Sequence, residues 1–448
     1  MSEKTLREIW LQYAEDNKEL LETRVKNDIE KYRKGYCKIK VVDKNNNPVT
    51  NKKIKITQTK HAFGHGANML MLDEFGNDEY NKKYREEFKK HFNIGTVPFY
   101  WSGLEPEQGK PRFDKDSKKV YRRPAPELCV EYCEENGIKP KLHCLVYDGF
   151  LPDWLPTQDI KKMEKHYEER IRQIAERYNG RFTEVEVINE LLCEAGWSKD
   201  MKSVISEKRD ILEWAFNLAR KYMPNETLVI NEGNELNNLA KEDYRGRYFL
   251  MIDNTLKNGT PINKIGVQHH CFCGATDTTE EGYQISIHRG SNMFDPSEIL
   301  KGLDILAEFG LPLEITEITV PTFGTTEEDE ELQADLLDLL YTTCFSHPAV
   351  ETLVYWNLPD DYAYAKPGWD ENKCRGGLFR KDMTPKKSAQ RLYEMFNKRW
   401  HTDIEATTDE NGYIEFRGFY GDYKAEMNGI CADFAIEKDN SNRIFITL

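Results

Sequence analysis

Two glutamates lie at or near the ends of apolar segments, where an ionised side chain is unfavourable. Glu190 ends the segment EVEVINE, and Glu317 lies in the segment LPLEITEIT. A carboxylate in apolar surroundings costs free energy unless it has a partner or a chemical role. Two such groups that face one bound molecule can divide the work, because one can donate a proton while the other attacks or activates water. The pair is therefore the first candidate for chemistry in this chain.

Polar and aromatic side chains also end the other apolar segments in the middle of the chain. A lone buried histidine or asparagine is usually a hydrogen-bonded core residue. Eight segments that all end this way predict a shared polar site instead. In chain order these side chains are His65 and Asn68; Tyr100 and Trp101; His143, Tyr147 and Asp148; Asn189 and Glu190; Asn231 and Glu232; Gln268, His269 and His270; Glu317; and Trp356 and Asn357.

The apolar segments alternate with long amphipathic stretches, an order typical of strands joined by helices. Stretches such as 163–178 and 208–222 repeat their apolar residues at helical spacing. Eight strand–helix units over residues 61–400 predict an α/β fold, a (β/α)8 TIM barrel, whose strand ends carry the polar site. An open doubly wound sheet is the alternative, but the Gly-rich phosphate loop typical of that fold is missing. The predicted strands are 62–68, 93–101, 139–147, 184–190, 227–232, 264–270, 311–319 and 352–357.

The two ends of the chain predict smaller elements beside the barrel. Residues 1–35 are interpreted as an N-terminal helix, which begins with a capping box at Thr5 and ends at Gly35. Residues 36–60 alternate as a hairpin, and residues 401–448 add further strands. Because neither part alone makes a stable sheet, we expect the two to form one small accessory β-sandwich domain.

The charge of the chain excludes several classes of partner. The formal net charge is −14, so we expect no nucleic-acid partner, because no basic field would attract phosphate. No apolar run is long enough to span a bilayer, so we expect no membrane partner. The charged start MSEKTLREIW lacks the apolar stretch of a signal peptide. It predicts a cytoplasmic protein, or a secreted one if a leader has been removed.

The ten cysteines do not form a metal-binding pattern. No CxxC pair occurs, and close spacing is confined to Cys271 and Cys273, beside His269 and His270. A zinc site needs a second cluster to complete its four ligands. We therefore expect reduced cysteines that act as small apolar side chains, and no metal or other cofactor.

The fourth and seventh predicted strands face each other across the barrel mouth, so Glu190 and Glu317 can flank one bond of a bound sugar. That arrangement suits cleavage of a glycosidic bond, in which one carboxylic acid protonates the leaving oxygen and one carboxylate attacks or activates water. Asn189, beside the acid, can donate a hydrogen bond to the 2-hydroxyl of the reacting sugar. Aromatic rings that offer flat faces to sugar C–H groups are Trp101, Tyr147, Trp356 and Tyr364, although such rings are often core residues.

Seven short motifs follow one another along the predicted barrel. They are HAFGHGAN, W-x-x-x-E-P-x-x-G at 101–109, LHCLVYDGFLPDWL, EVINE, IGVQHH, EITEIT and VYWNLPDDYAY. In this order they resemble glycoside hydrolase family 10, the β-1,4-xylanase family. The resemblance implies a carbohydrate substrate, xylan or a related plant polysaccharide or oligosaccharide, and no cofactor. It also implies that Glu190 is the general acid/base and Glu317 the nucleophile of a retaining mechanism, with carboxyl groups about 5–5.5 Å apart.

The resemblance implies binding roles for further residues. Asn189 and Gln268 are expected to contact the reacting sugar, and His270 is expected to orient the nucleophile. His143 matches the histidine of the family's third-strand motif, and Trp356 matches its aromatic platform.

The chain departs from the family pattern around the substrate. TVPFYW replaces the E-N-x-x-K-W segment, whose polar side chains bind sugars on the non-reducing side. Tyr147-Asp148 replaces Trp-His, Thr319 replaces an aspartate two residues after the nucleophile, and Ala363-Tyr364 replaces Ser-Trp. Because both glutamates persist while the cradle changes, we expect a β-glycoside that is shorter, branched or decorated differently from xylan, and an exo-acting enzyme is an alternative.

Other interpretations of the same residues stay open at this point. The barrel could grip carbohydrate without cutting it, although binding alone does not need both glutamates. A metal-dependent hydrolase could use His65, His269, His270 and Cys273. Glu232, which repeats the Asn-Glu ending one strand later, is a rival acid or an aglycone-side residue. The β-sandwich contains four aromatic residues that either form a platform for a sugar or pack in the core, namely Phe416, Phe419, Tyr420 and Tyr423.

Overall fold

The computed structural model describes residues 4–193, 203–276 and 279–448. Its strands, labelled in chain order, are β1 (Lys34–Val42), β2 (Lys53–His61), β3 (Gly64–Asn68), β4 (Ile94–Pro98), β5 (Lys139–Val146), β6 (Glu184–Asn189), β7 (Thr227–Glu232), β8 (Lys264–His270), β9 (Leu313–Thr319), β10 (Val350–Tyr355), β11 (Ala365–Lys366), β12 (Trp369–Asp370), β13 (Asp403–Thr407), β14 (Tyr413–Phe419), β15 (Gly421–Met427), β16 (Ile430–Ile436) and β17 (Arg443–Thr447).

Helices cover the outside of the barrel. The longer ones are Asp78–His91, Pro126–Glu135, Ile160–Tyr178, Ile211–Tyr222, Arg247–Lys257, Glu280–Gly290, Pro296–Ala307, Glu327–Ser346 and Lys387–Glu394, and shorter ones are Trp101–Leu104 and Leu236–Glu242. In the part of the chain that the structure describes, no helix combines the length and the apolar character needed to cross a bilayer.

The predicted TIM barrel is confirmed. Strands β3 to β10 close into a barrel in the order β10-β3-β4-β5-β6-β7-β8-β9, and each neighbouring pair is parallel. Each of these strands is almost wholly buried, because helices cover its outer face and barrel side chains cover its inner face. This double burial is why the strands appear in the sequence as unbroken apolar runs. The carboxyl ends of all eight meet at one rim, where the site lies.

The N-terminal segment is helical but interrupted, and it ends before Gly35. Its helical pieces are Leu6–Trp10, Gln12–Asp16, Lys18–Leu20, the π-helix Leu21–Val25, and Lys26–Tyr32. The capping box at Thr5 is confirmed, because Thr5 and Glu8 satisfy each other's backbone N–H groups. The expectation that Gly35 ends the helix is wrong. Gly35 lies inside β1, where a Cβ atom would come within 2.9 Å of side-chain atoms of Tyr420 and Ile436, so a close approach explains this glycine.

The predicted hairpin within residues 36–60 is also wrong, because its two strands belong to different sheets. β1 lies between β14 and β17, whereas β2 lies between β13 and β15, with β16 beyond β15. Alternating apolar residues look the same in hairpin partners and in strands of facing sheets. Here the alternating residues of both strands, such as Ile39 and Ile54, are buried in one shared core between the two sheets.

The aromatic residues of the sandwich pack rather than form a surface platform. Tyr423 is buried in the core between the sheets, and Phe416 packs against that core. Phe419 belongs instead to the core of the barrel, where its ring lies 6.4 Å from that of Phe345. Tyr420 lines a cavity beside the amino ends of the barrel strands. The sandwich is therefore joined to the barrel by apolar contacts.

The N-terminal helices are docked on the barrel by Trp10, which is fully buried against Phe294 and Phe323, with ring centroids 5.6 and 4.5 Å away. We expect Trp10→Ala to lower the free energy of unfolding by roughly 3–5 kcal/mol, because it leaves a large cavity. Leu250→Ala, at a side chain that is 51% exposed, is the matched control and should change it by less than about 0.5 kcal/mol. Urea unfolding of the two variants measures the difference. A loss below about 1 kcal/mol for Trp10→Ala would contradict docking of the helices through this side chain.

Candidate active site

A cavity of about 430 Å³ opens at the carboxyl ends of the barrel strands. Eight of the predicted site residues line it, and their list is Tyr147, Asn189, Glu190, Gln268, His270, Glu317, Trp356 and Tyr364. These residues come from the ends of strands β5, β6, β8, β9 and β10 or from the loops that follow them. The closed barrel therefore brings together side chains that are far apart in the chain.

The carboxylates of Glu190 and Glu317 are joined by the side-chain amide of Gln268. Its Nε2 donates to Glu190 Oε1 at 2.9 Å and to Glu317 Oε1 at 3.0 Å. Since both bonds share one nitrogen atom, the two oxygens are less than about 6 Å apart, below the 6.5–9.5 Å typical of inverting glycosidases. Two carboxylates this close repel each other unless one holds a proton or donors compensate them.

The backbone turns at Glu190 in a way that few residues adopt. Its φ is +56°, in the left-handed region, and costs about 1 kcal/mol or more for a residue with a Cβ atom. Its N–H donates to the carbonyl of Asn231, and Tyr147 donates its hydroxyl to Glu190 Oε2 at 2.6 Å. The turn at the end of β6 and the bond from Tyr147 together hold this carboxylate over the cavity.

Glu317 is held from two further sides. Asn231 Nδ2 donates to its Oε1 at 3.2 Å, and His270 Nε2 lies 3.2 Å from its Oε2. His270 Nδ1 lies 2.9 Å from the hydroxyl of Thr319. Burial lowers the pKa of His270 to about 4, so the ring is neutral near pH 7 and carries one N–H. A Thr319 hydroxyl that donates to Nδ1 leaves that proton on Nε2, where it stabilises the Glu317 anion.

Beneath the cavity, charged side chains pair inside the barrel. Lys141 Nζ lies 2.6 Å from carboxylate oxygens of both Glu186 and Glu314, and all three are buried. Burial alone would raise the pKa of Glu186, but Lys141 and His143 lower it to about 2. Burial raises the pKa of Glu314 to about 8 despite Lys141. Glu186 is therefore the anion that balances Lys141, whereas burial disfavours the charged form of Glu314.

His143 links this buried layer to the cavity. Its Nδ1 contacts Glu186, its Nε2 lies 3.0 Å from the Tyr100 hydroxyl, and Nδ1 lies 4.0 Å from Glu317. Burial alone would lower the pKa of His143, but Glu186 raises it above its ordinary value of 6.5. His143 does not line the cavity, so it acts on Glu317 by charge rather than by contact with a ligand.

Burial raises the pKa of Glu317 well above its ordinary value of 4.5. The carboxylates of Glu190 and Glu186 raise it further, whereas the charge of His143 opposes them. Burial and the neighbouring carboxylates therefore disfavour the negative charge of Glu317.

Trp101 is the second predicted binding residue, after His143, that does not line the cavity. It begins the helix Trp101–Leu104, is buried, and packs against Tyr167 with ring centroids 4.7 Å apart. Its Nε1 donates to Glu105. The neighbouring Tyr100 faces the cavity instead, because the helix that begins at Trp101 turns the two side chains in different directions.

The structure also separates the residues of the rival interpretations. Glu232 is fully buried and accepts from the backbone N–H groups of Leu192 and Gly233, so it supports the loop after β6 and does not line the cavity. His65 stacks on Phe396, with ring centroids 4.0 Å apart, whereas His269 packs against Phe294. The set His65, His269, His270 and Cys273 therefore does not converge. Among the described residues, metal-ligand atoms do converge at His143, Glu186 and Glu317, but Lys141 and His143 already supply positive charge there.

Several residues of the site were not predicted from sequence. Those that line the cavity are Arg122, Arg123, Phe150, Phe272, Trp369 and Glu371, and those beneath it are Lys141 and Glu186. Lys141 and Glu186 carried a signal, because charged residues at alternate positions of two apolar strands point to one face. The loop residues carried none, since a loop's path depends on the whole barrel.

With the site described, comparison with known proteins decides the family. The model of glycosyl hydrolase family 10 matches residues 73–395. The chain belongs to glycosyl hydrolase family 10. This confirms the resemblance inferred from the motifs, and the family match covers strands β4 to β10 of the barrel.

Curated proteins similar to this family 10 chain include enzymes and a regulator. The chain is 28% identical over 404 residues to the anti-sigma-I factor RsgI6 of Acetivibrio thermocellus, which aligns 88% of this chain and 45% of that protein. It is 24% identical to endo-1,4-beta-xylanase 2 of Arabidopsis thaliana, over 87% of this chain and 32% of that protein. It is 26% identical to endo-1,4-beta-xylanase B of Thermotoga neapolitana, over 71% of this chain and 84% of that protein. The chain thus spans less than half of the first two relatives.

Solved structures of the family share the barrel. Xylanase 10B of Thermotoga petrophila RKU-1, in complex with xylobiose, superposes with a TM-score of 0.58 at 22% identity, over 75% of this chain and 95% of that one. Native xylanase 10B of Thermotoga maritima gives a TM-score of 0.57 at 22% identity, over 75% of this chain and 96% of that one. At this identity the likeness shows the fold.

The raised pKa of Glu317 has a measurable effect on stability. Between pH 4.5 and the raised pKa, the folded protein keeps a proton that the unfolded chain releases, so the free energy of unfolding falls as pH rises. Glu317→Gln removes this penalty, and we expect it to be more stable than the parent at pH 7 by at least about 1 kcal/mol. The gain should vanish near pH 4. Urea unfolding at both pH values tests this, with the exposed Glu308→Gln as control. Lower stability of Glu317→Gln at pH 7 would contradict the assignment.

Proposed function

We propose that the protein is a retaining glycoside hydrolase that cleaves β-glycosidic bonds of xylan-type or related plant polysaccharides or oligosaccharides. The observation that carries the proposal is the Gln268 amide, which bonds to Glu190 at 2.9 Å and to Glu317 at 3.0 Å. Carboxyl groups this close leave no room for a water molecule between sugar and base, so they suit a nucleophile and an acid/base rather than an inverting pair.

In the first step, Glu317 attacks the anomeric carbon of the bound sugar. As the bond between that carbon and the leaving oxygen breaks, Glu190 gives its proton to the oxygen and becomes an anion. Asn189 donates to the 2-hydroxyl of the same sugar; its own amide oxygen is engaged by Asn231 at 2.8 Å, which leaves its Nδ2 for the ligand. The products are the free leaving alcohol and a glycosyl ester on Glu317.

In the second step, Glu190 takes a proton from water, and the water oxygen attacks the anomeric carbon. The ester bond to Glu317 breaks, Glu317 is released as a carboxylate, and the sugar leaves with the configuration it had at the start. The exchange of roles is favoured by the closeness of the two groups. Once Glu317 is esterified its charge is gone, so the Glu190 anion no longer meets a repelling neighbour.

Hydrogen bonds to Glu317 support its role as the nucleophile. Gln268, Asn231 and a His270 that carries its proton on Nε2 all donate to the Glu317 carboxylate. The developing positive charge of the reacting sugar adds to their effect, because it lies directly against the carboxylate in the transition state. Both effects favour the Glu317 carboxylate and so act against the burial that raises its pKa.

Substitution of the two glutamates with Ala tests the roles separately. Glu190→Ala should lower the turnover of natural oligosaccharides about 10²- to 10⁴-fold, because their leaving group needs the acid. With 2,4-dinitrophenyl β-glycosides, whose leaving group needs no acid, the same variant should form the glycosyl-enzyme at the normal rate. Added azide should then yield the β-glycosyl azide. Glu317→Ala should lose turnover of both substrate types, and azide should yield the α-glycosyl azide. Product configuration is read by NMR.

The buried Glu232→Gln is the matched control, and its turnover should stay within the parent's order of magnitude. Loss of turnover in Glu232→Gln, with a mild effect of Glu190→Ala, would assign the acid to the wrong residue. A carbohydrate-binding barrel replaces the proposal under two conditions. No aryl β-xyloside, glucoside, galactoside or glucuronide is cleaved, and Glu190→Gln and Glu317→Gln bind sugars as well as the parent.

An exo-acting mode is a second candidate, favoured by aromatic contacts at one side of the cavity. Phe150, in the loop after β5, lies 4.8 Å from Tyr100 and 5.7 Å from Tyr364, measured between ring centroids. These contacts connect the loop after β5 with the loops after β4 and β10, across the rim above β3 and β4. They make a wall where a polymer-cleaving enzyme needs an open trench, so a chain end would have to stop there.

Product analysis on reduced β-1,4-linked oligosaccharides separates the two modes. A wall predicts release of the non-reducing terminal sugar alone as the first product. Phe150→Ala opens the wall and should shift the first products towards longer fragments. A mixture of internal cleavage products from the parent protein would support the endo mode instead.

A further inference from the structure

A buried arginine, Arg122, and a half-buried one, Arg123, form part of the cavity wall on the side of Tyr100. Arg122 is 6% exposed, and its φ of +58° places it in the left-handed region that few residues other than glycine adopt. Its Nη2 donates to Asn357 at 3.2 Å, while its buried Nε has no hydrogen-bond partner. A strained, buried and incompletely bonded guanidinium at a cavity is a feature that a ligand would explain.

Arg123, the next residue, lies over the aromatic wall. Its guanidinium carbon is 4.0 Å from the ring centroid of Tyr100 and 5.1 Å from that of Phe150. Its Nη1 donates to the carbonyl of Arg122 at 2.8 Å. Its stem crosses Gly103 so closely that a Cβ atom there would come within 2.5 Å of Arg123 Cγ. The glycine therefore gives Arg123 its path to the cavity.

Neither guanidinium forms an ion pair with a carboxylate of the described residues, although acidic residues outnumber basic ones by 77 to 63. The acid with the largest effect on the pKa of Arg122 is Glu371, which raises it, and the Glu371 carboxylate already accepts from Asn357 at 3.0 Å. Burial lowers the pKa of Arg123 to about 10, so it remains charged at neutral pH. Both positive charges therefore lie in the cavity wall without a carboxylate of the described residues in contact.

Other buried arginines of the chain are hydrogen-bonded in a different way. Arg33 donates to the carbonyls of Phe345, His347 and Val350. Arg170 likewise donates to three backbone carbonyls, and neither of these side chains lines the active-site cavity. These two arginines are thus bonded by the backbone alone, although Nη1 of Arg170 also lacks a partner. Arg122 differs, because its fork faces the cavity with one side-chain acceptor.

We propose that the sugar bound on the Tyr100 side of the cavity carries a carboxylate, so that the substrate is a β-glycoside with a uronic acid at that position. The planar fork of a guanidinium matches a carboxylate with two parallel hydrogen bonds, and a desolvated cation gains most from an anion. This inference rests on the proposed function for cleavage, but binding of the acidic sugar is a separate property. Arg122 and Arg123 are its binding residues.

The kinetic test uses substrates that differ only in the acidic group. The 4-nitrophenyl β-D-glucuronide and β-D-glucoside form one pair, and the galacturonide and galactoside form a second. We expect kcat/KM of at least one uronide to exceed that of its neutral partner at least about 10-fold. Equal or higher kcat/KM for both neutral glycosides, or for the xyloside, would overturn the proposal.

Variants then link the preference to the two arginines. Arg122→Gln should lower the uronide-to-neutral ratio of kcat/KM about 10- to 100-fold, because it removes the charge and half of the fork. Gly103→Ala should lower the same ratio by displacing Arg123, without removing any charge. The exposed Arg245→Gln is the control and should leave the ratio unchanged. An unchanged ratio in Arg122→Gln and Gly103→Ala, both folded by thermal melting, contradicts the assignment.

A binding experiment decides the inference even if no substrate is cleaved. Saturation-transfer NMR with the parent protein compares glucuronic acid, glucose and glucose 6-sulfate. Binding of glucuronic acid to the parent but not to Arg122→Gln supports the proposal. Equal binding of glucose overturns it, and preferred binding of glucose 6-sulfate shows that the anion is a sulfate ester rather than a carboxylate. Failure of the proposed hydrolysis appears separately, as absence of turnover with all aryl glycosides.

Discussion

The site depends on the closeness of two carboxylates inside a low-dielectric cavity. Glu190 and Glu317 both accept from one amide nitrogen of Gln268, so they cannot move apart without losing a hydrogen bond. Burial raises the pKa of Glu317, and repulsion by Glu190 raises it further. A protein gains no stability from such a contact, and its presence in a buried site is therefore most simply explained by chemistry.

The rest of the barrel interior can be understood as support for this pair. Lys141 and Glu186 form a buried ion pair beneath it, and His143 extends their charge towards Glu317. The positive charge of His143 partly offsets the burial of Glu317, and Tyr100 connects the same histidine to the cavity wall. Each layer is buried, so its electrostatic effect is little screened by solvent or salt. The strands hold these groups at fixed distances because helices cover them on the outside.

The wall of the cavity on the Tyr100 side differs chemically from its centre, where the two carboxylates lie. Aromatic rings and two guanidinium groups line the cavity on the Tyr100 side. Arg123 lies on the rings of Tyr100 and Phe150, so the aromatic wall and the positive charge form one surface. A glycosidase can keep its reaction while changing its sugar in this way, since the reacting bond and the recognised groups are held by different loops.

The linear pattern determined the barrel, because each parallel strand is buried on both faces and so appears as an apolar run that ends in polar residues. It also determined the two glutamates and most of their neighbours, since a strand's last residue must face the rim. The hairpin within residues 36–60 was wrong and Trp101 was misplaced, because alternation and residue type do not say which sheet or which direction a side chain takes. Only the tertiary structure decided that Arg122 and Arg123 reach the cavity, that Gln268 joins the two acids, and that Lys141 pairs with Glu186. These contacts join residues distant in the chain, and their distances are set by closure of the barrel and by loop paths that no local pattern encodes.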